Sequence, residues 1–338
     1  MKVYAGIDLH SSNNYVGIID EKDQRLYQKR LPNRLEHILP ALEPFKESLE
    51  GVVVESTYNW YWLVDGLQEK GYKVHLANPS AIKQYEGLKH TDDKWDSFWL
   101  AHLKRLNILP EGYIYPKEER PVRDVLRRRL LFVKHRTSHI LSLQSSITRN
   151  LGHKMSSRDI KKLEESDADK LFDKPFLILA AKSSIAGIRF LNKRIKEIEK
   201  AVKSHIKFKP EFKYLLTMPG IGDILGLTIM LEVGDIRRFP KVGDYSSYCR
   251  CVKSEKLSNK KKKGEGNRKN GNKYLAWAYV EAAHFAKMHY PEAQSFYQRK
   301  DARRNSIVAT KALGNKLARA SYYVMRDQVP YDARKLFG

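Results

Sequence analysis

Cysteine is nearly absent. The 338-residue chain has two, Cys249 and Cys251, with one residue between them. Thiols so spaced build neither a disulfide framework nor a zinc site, and a reducing, cytoplasmic setting is the simplest reading. Long apolar runs are missing too. No stretch is long or apolar enough to span a bilayer, and no signal-peptide pattern opens the chain. Acidic residues are in deficit: 39 Asp and Glu stand against 63 Lys and Arg, a formal net charge of +24. Such a field favours polyanionic partners. Nucleic acid leads, because neutralising phosphates releases counterions; an anionic membrane surface is the main rival. Hydrophobic content is 42%, ordinary for a chain with length enough for two or three domains.

Residues 1–110 read as mixed α/β. Val3 to Ile7, Tyr15 to Ile19 and Arg25 to Leu31 have strand patterns, with a polar turn over His10 to Asn14. Leu35 to Leu49 has helical spacing interrupted by Pro40 and Pro44. Val52 to Glu55 is a short buried strand, Tyr61 to Lys70 a helix, and Val74 to Ala77 a strand before the Asn78-Pro79 turn. A meander followed by crossover units fits a ribonuclease-H-like fold and also the opening of actin-like ATPase halves. From Val122 to Leu151 the pattern is helical, with Val133, Ile140, Ile147 and Leu151 on one face and Arg and Lys on the others. A second helix over Ser184 to Ile206 carries a heptad-like seam of Ile185, Ile188, Ile195, Ile198, Val202 and Ile206. Ser156 to Asp173 is the connector of this coiled-coil hairpin, which packs on itself or on a partner chain.

The remainder is mainly helical. Met218-Pro219-Gly220-Ile221-Gly222 reads as a tight turn before a helix, similar to a helix-hairpin-helix element or simply a capping turn. Lys253 to Lys273 is too polar and glycine-rich to pack. Helices return at Tyr274 to Lys287 and Asn305 to Met325, the latter with closely spaced Ala309, Ala312, Gly314, Ala318 and Ala320. The division is therefore 1–120, 121–210 and 211–338.

The candidate chemistry lies in four acids and one serine. Asp8 and Glu55 end hydrophobic runs that would be neighbouring strands. Asp93 and Asp96 are about one helical turn apart, so both can point the same way. Carboxylates gathered from separate segments suit Mg²⁺ or Mn²⁺ and phosphoryl transfer. His10 is a loop residue or a support to Asp8. Ser258 sits among Lys260, Lys261, Lys262, Lys263, Arg268, Lys269 and Lys273, cations able to hold a phosphate and offset transition-state charge. Ser254 shares the loop and is the alternative nucleophile. Asp92 with Asp96, four apart, is the alternative acidic pair.

The combination resembles the DEDD-type transposases of the "one-ten" insertion-sequence group. The resemblance runs through Gly6-Ile7-Asp8-Leu9-His10, Val54-Glu55-Ser56-Thr57, Leu76-Ala77-Asn78-Pro79 and Asp93-Lys94-Trp95-Asp96. It resumes at Met218-Pro219-Gly220-Ile221-Gly222, Glu232-Val233-Gly234-Asp235-Ile236, Arg238-Phe239, Ser258 and Lys269-Asn270-Gly271-Asn272-Lys273-Tyr274-Leu275. It implies a RuvC-like domain whose Asp8, Glu55, Asp93 and Asp96 hold Mg²⁺ or Mn²⁺. It implies Ser258 as a nucleophile forming a transient phosphoserine link to DNA. It further implies donor and target DNA, a structured bridge RNA that chooses them, a homo-oligomer (dimer or tetramer) and a prokaryotic, nucleoid-associated setting. Two departures stand out. The family's usual Ser-Gly is here Ser258-Asn259, and a small Gly-containing motif is replaced by Cys249-Arg250-Cys251. The alternative is a RuvC-like junction nuclease that uses metal-activated water and needs no serine.

Overall fold

The protein, seen in a computed structural model, is described over residues 1–82, 93–205, 210–252, 255–258, 261–265 and 270–337. The chain divides into two compact units, Met1–Lys117 and Glu118–Gly338.

The first unit is a mixed sheet between helices. Its strands are β1 (Val3–Leu9), β2 (Asn13–Asp20), β3 (Arg25–Pro32), β4 (Leu49–Glu55) and β5 (Val74–Ala77), in spatial order β3-β2-β1-β4-β5. β1 to β3 form an antiparallel meander, and β4 and β5 join β1 in parallel. Alternation sorts the side chains between the two faces. Val3, Ala5, Ile7 and Leu9 pack with Val52 and Val54 on one core, which includes residues of α1 (Leu35–Leu42) and α2 (Tyr61–Glu69). A short 3-10 helix, Glu43–Ser48, follows α1 and has Pro44 in its first turn, where a missing N–H costs nothing. Val53 and Ala77 pack on the opposite face with Leu100 and Leu103 of α3 (Asp93–Arg105).

α3 lies unusually close to the sheet, and two glycines permit it. Gly6 and Gly17 are cross-strand partners. A Cβ on Gly6 would fall 2.0 Å from the Ser97 carbonyl oxygen, and one on Gly17 2.7 Å from Ser97 Oγ. Ser97 is fully buried in this notch. Gly6→Ala should therefore push α3 off the sheet and cost about 1–3 kcal/mol or more. Gly112→Ala is the control, since its nearest neighbour would be 3.5 Å away. Thermal unfolding should separate the two; equal melting temperatures would show that the notch does not seat α3.

The second unit is mainly helical. α4 (Arg120–Leu151) and α7 (Pro175–His205) pack against each other as an antiparallel pair. Ile140, Leu143 and Ile147 meet Ile185 and Ile188, while Leu151 is exposed. α7 begins earlier than the seam suggests, because the exposed Phe176 and Leu179 of its first turns carry no inward pattern. The polar connector contains two single-turn helices, α5 (Ser157–Ile160) and α6 (Ala168–Leu171), and buries Ile160, Ala168 and Phe172. Several basic residues of α4 are structural: Arg129 pairs with Glu199 at 2.6 Å, and Arg136 donates to Asn192 at 2.8 Å.

Further along come α8 (Pro210–Leu215), α9 (Asp223–Val233), α10 (Val242–Tyr248), α11 (Lys273–His289), α12 (Pro291–Arg303), α13 (Ser306–Asp327) and α14 (Ala333–Phe337). Leu225 to Val233 of α9 are all buried, so this helix is the middle of the core. Gly220 adopts a left-handed φ of +74°, and a Cβ there would meet the Ala282 carbonyl oxygen at 2.1 Å. The Met218–Gly222 turn is thus pressed against α11. Asp223, in the first turn of α9, pairs with Lys203 at 2.6 Å. The small residues of α13 face α11: a Cβ on Gly314 would lie 3.1 Å from the Tyr279 carbonyl oxygen. The Lys253–Lys273 segment is not wholly unpacked, as its sequence suggests. It holds an antiparallel hairpin, β6 (Glu255–Ser258) and β7 (Lys261–Glu265). Among the described residues, no helix is long and apolar enough to cross a membrane.

Candidate active site

The acidic site is assembled by register. Ile7 on β1 lies opposite Val54 on β4, so Asp8 and Glu55 are the next residues along two adjacent parallel strands. Asp8 shares the sheet face of Gly6, two residues back, and this is the face that α3 covers. Asp96 precedes Ser97, the residue seated in the glycine notch. The backbone thus delivers three carboxylates from three elements to one end of the sheet.

Their electrostatics record the meeting. Asp8 is only 3% exposed. Glu55 has its pKa pushed up to about 8, first by burial, then by a hydrogen bond with Asp8 and by the charges of Asp8 and Asp96. A carboxyl in that state shares a proton with its neighbour because the site cannot hold several negative charges unaided. His10 Nε2 lies 3.2 Å from Asp8 Oδ2. His10 is therefore more than a turn residue: its carbonyl accepts hydrogen bonds from Asn33 and Asn59, each at 2.9 Å, which hold it beside Asp8. Neither asparagine carries a pattern that sequence reading could single out. Asp92 and the Asp93 side chain lie outside the described residues.

The donor set fits a hard divalent cation. Oxygen ligands, burial and mutual repulsion that a cation would relieve all point that way. Among the described side chains, no three His, Cys, Asp or Glu are poised to grip an ion.

The serine element is described in its own unit. Ser258 pairs with Lys261 across the hairpin and is the last residue of β6. Lys261 and Lys263 of β7 are exposed. Lys273 stands 5.2 Å over the Tyr274 ring. Ser254, Lys260, Arg268, Lys269 and the Lys262 and Ser258 side chains lie outside the described residues. The two thiols are held protonated: burial raises Cys249 well above its ordinary pKa and Cys251 to about 12.

Two family comparisons match the two ends of this arrangement. Residues 5–149 match the DEDD transposase model of the IS110 type, and residues 212–298 match the Transposase IS116/IS110/IS902 family. Both models are of IS110-type transposases, one over the N-terminal part of the chain and one over the C-terminal part. A transposase for insertion sequence element IS1328 from Yersinia enterocolitica is 22% identical over 333 residues, covering 94% of this chain and 95% of that protein. An insertion element IS110 uncharacterized 43.6 kDa protein from Streptomyces coelicolor is 23% identical over 159 residues, which is 47% of this chain and 39% of that protein. Transposase is the description that both matched families and the Yersinia relative share. The mixed α/β sheet falls in the first matched span, and the second is mainly helical.

Proposed function

We propose that this transposase cuts and rejoins DNA through a serine–DNA intermediate at a metal-assisted site, guided by a structured bridge RNA. The observation that carries the metal half is the convergence of Asp8, Glu55 and Asp96, with Glu55 driven up to about 8. Asp8, Glu55, Asp93 and Asp96 are the ligand set on a ribonuclease-H-like, RuvC-like sheet. When bound there, Mg²⁺ or Mn²⁺ supplies Lewis acidity at the scissile phosphate. The protein's own groups do the rest. Ser258 Oγ attacks phosphorus, a phosphoserine ester forms, and the DNA P–O bond breaks as the departing oxygen takes a proton. Attack by a second DNA hydroxyl on the phosphoserine reverses these bonds and returns the proton to Ser258. The count of phosphodiesters is unchanged, so no other energy source is needed. Lys260, Lys261, Lys262, Lys263, Arg268, Lys269 and Lys273 hold the backbone phosphates.

The divisions 1–120, 121–210 and 211–338 are assigned respectively to the metal site, to the helical hairpin that contacts RNA or a second protomer, and to the serine. In a dimer or tetramer, the acidic unit of one protomer would serve the serine of another.

Expression with the native flanking DNA, followed by sequencing of co-purifying nucleic acid, tests the guide. A discrete structured RNA from those flanks is the expected result. Random RNA, or none, would favour a protein-guided nuclease. Changing Lys260 to Lys263 together to alanine should weaken DNA binding and flatten its salt dependence by up to about four counterions' worth of slope. A slope equal to that of the parent protein would show that this run does not touch phosphate.

A further inference from the structure

Asn272, the residue that precedes α11, is bonded to a buried carboxylate. Glu232 of α9 is 1% exposed. Its Oε1 accepts from Arg127 Nε at 2.5 Å, and its Oε2 accepts from Arg127 Nη2 and Asn272 Nδ2, both at 2.7 Å. Burial works against the Arg127 charge, yet the bond to Glu232 more than offsets this and raises its pKa. The Arg127 guanidinium also stacks 4.5 Å over the Tyr274 ring, in the first turn of α11.

Asn272 passes this anchoring to the loop. Its Oδ1 accepts from the Tyr274 and Leu275 N–H groups at 2.8 and 3.1 Å, capping α11. Its own N–H donates to the Tyr248 carbonyl at 2.6 Å. Beside it, Gly271 has a φ of +84°, and a Cβ there would stand 2.5 Å from the same Tyr248 oxygen. On the incoming side, Arg250 holds a left-handed φ of +54°. A non-glycine residue stays there only when its surroundings over-determine it. Here Arg250 Nε and Nη2 donate to the Asn270 and Gly271 carbonyls at 3.0 and 2.9 Å. Asn315 of α13 donates to the Cys251 carbonyl at 3.2 Å. Tyr248 and Arg250 on one side and Asn270 to Asn272 on the other, which bracket Ser258 in sequence, are thus bonded to each other.

We propose that Glu232 is a positioning residue for this transposase: with Arg127 it orients Asn272, and through Asn272 it fixes both ends of the loop that carries Ser258. The role in strand exchange rests on the reading of Ser258 as nucleophile; the role in holding the loop does not. If stability alone were at stake, an apolar set of equal volume would serve as well as a buried ion pair. What the charged set adds is direction, since one carboxylate is aimed at once at a helix cap and at an anchoring guanidinium.

The test uses the full chain. Glu232→Gln keeps the shape but turns an amide N–H toward Arg127 or Asn272. Amide hydrogen exchange at residues 250–258 and 270–275 should accelerate on the order of tenfold or more, as local opening becomes easier. Protection across the α4–α7 pair should be unchanged. Strand exchange should fall by a similar factor or more, with DNA affinity held within about twofold. The double change Glu232→Gln with Asn272→Asp restores a carboxylate to the cluster and keeps a good helix cap, so it should recover loop protection and most activity. Unchanged loop exchange in Glu232→Gln would overturn the proposal, as would lost protection that the double change does not restore. A parallel Ser258→Ala protein separates the two ideas. If it still exchanges strands, the serine reading fails, and hydrogen exchange alone decides whether Glu232 holds the loop.

Discussion

Glu55→Gln is expected to reduce strand exchange by about a thousandfold or more, the equivalent of roughly 4 kcal/mol, while nucleic-acid binding persists. Asp8→Asn should do the same. Both acids sit on strand ends, and neither belongs to the lysine-rich segment proposed to meet phosphate. Loss of binding in a still-folded variant would show that these acids are more than metal ligands.

Glu55 also ties stability to pH. Its pKa in the folded protein is about 8, against an ordinary 4.5. Between those values the folded protein keeps a proton that the unfolded chain has released. Metal-free stability should therefore fall as pH rises through this window, by on the order of a few kcal/mol, and level off above it. Glu55→Gln should remove most of that slope. Mg²⁺ should raise the melting temperature of the parent protein more at the alkaline end, where Glu55 is already ionised. A variant that keeps the parent's slope would mean that other groups carry it.

Ser258→Ala is expected to abolish both rejoining and the covalent protein–DNA link, by about a thousandfold or more, with DNA affinity and metal-induced stabilisation unchanged. The assay is denaturing electrophoresis of labelled DNA after mixing, where a serine-linked species runs with the protein. Ser254→Ala is the comparison. Undiminished cleavage in Ser258→Ala, with products free of protein, would favour the water-using nuclease. Loss in Ser254→Ala alone would move the nucleophile four residues upstream.

The first unit was largely legible because its physics is local. Alternating strands such as Val3–Leu9 and Asn13–Asp20 announce themselves by period, and Asp8 and Glu55 stand out as charges ending apolar runs. What brings Asp96 to them was not visible. Gly6 and Gly17 read as ordinary strand glycines until their pairing and the overlying Ser97 are known. The β6–β7 hairpin has residues that are nearly all polar, leaving no apolar face to give a period. α12 leaves as little trace in the sequence, since Ala293 is its only fully buried residue. The Glu232 cluster joins Arg127 and Asn272, 105 and 40 residues away in the chain, and no spacing rule reaches that far.

The position of the aromatic rings on α3 has an experimental consequence. Four of the five tryptophans, Trp60, Trp62, Trp95 and Trp99, belong to the first unit. Trp95 and Trp99 flank Asp96 in sequence and stack with centroids 4.9 Å apart and planes 14° from parallel. Two indoles so close couple their electronic transitions. The helix that carries Asp96 therefore has its own optical reporter: a circular-dichroism couplet that follows the formation of α3 itself, read without any label.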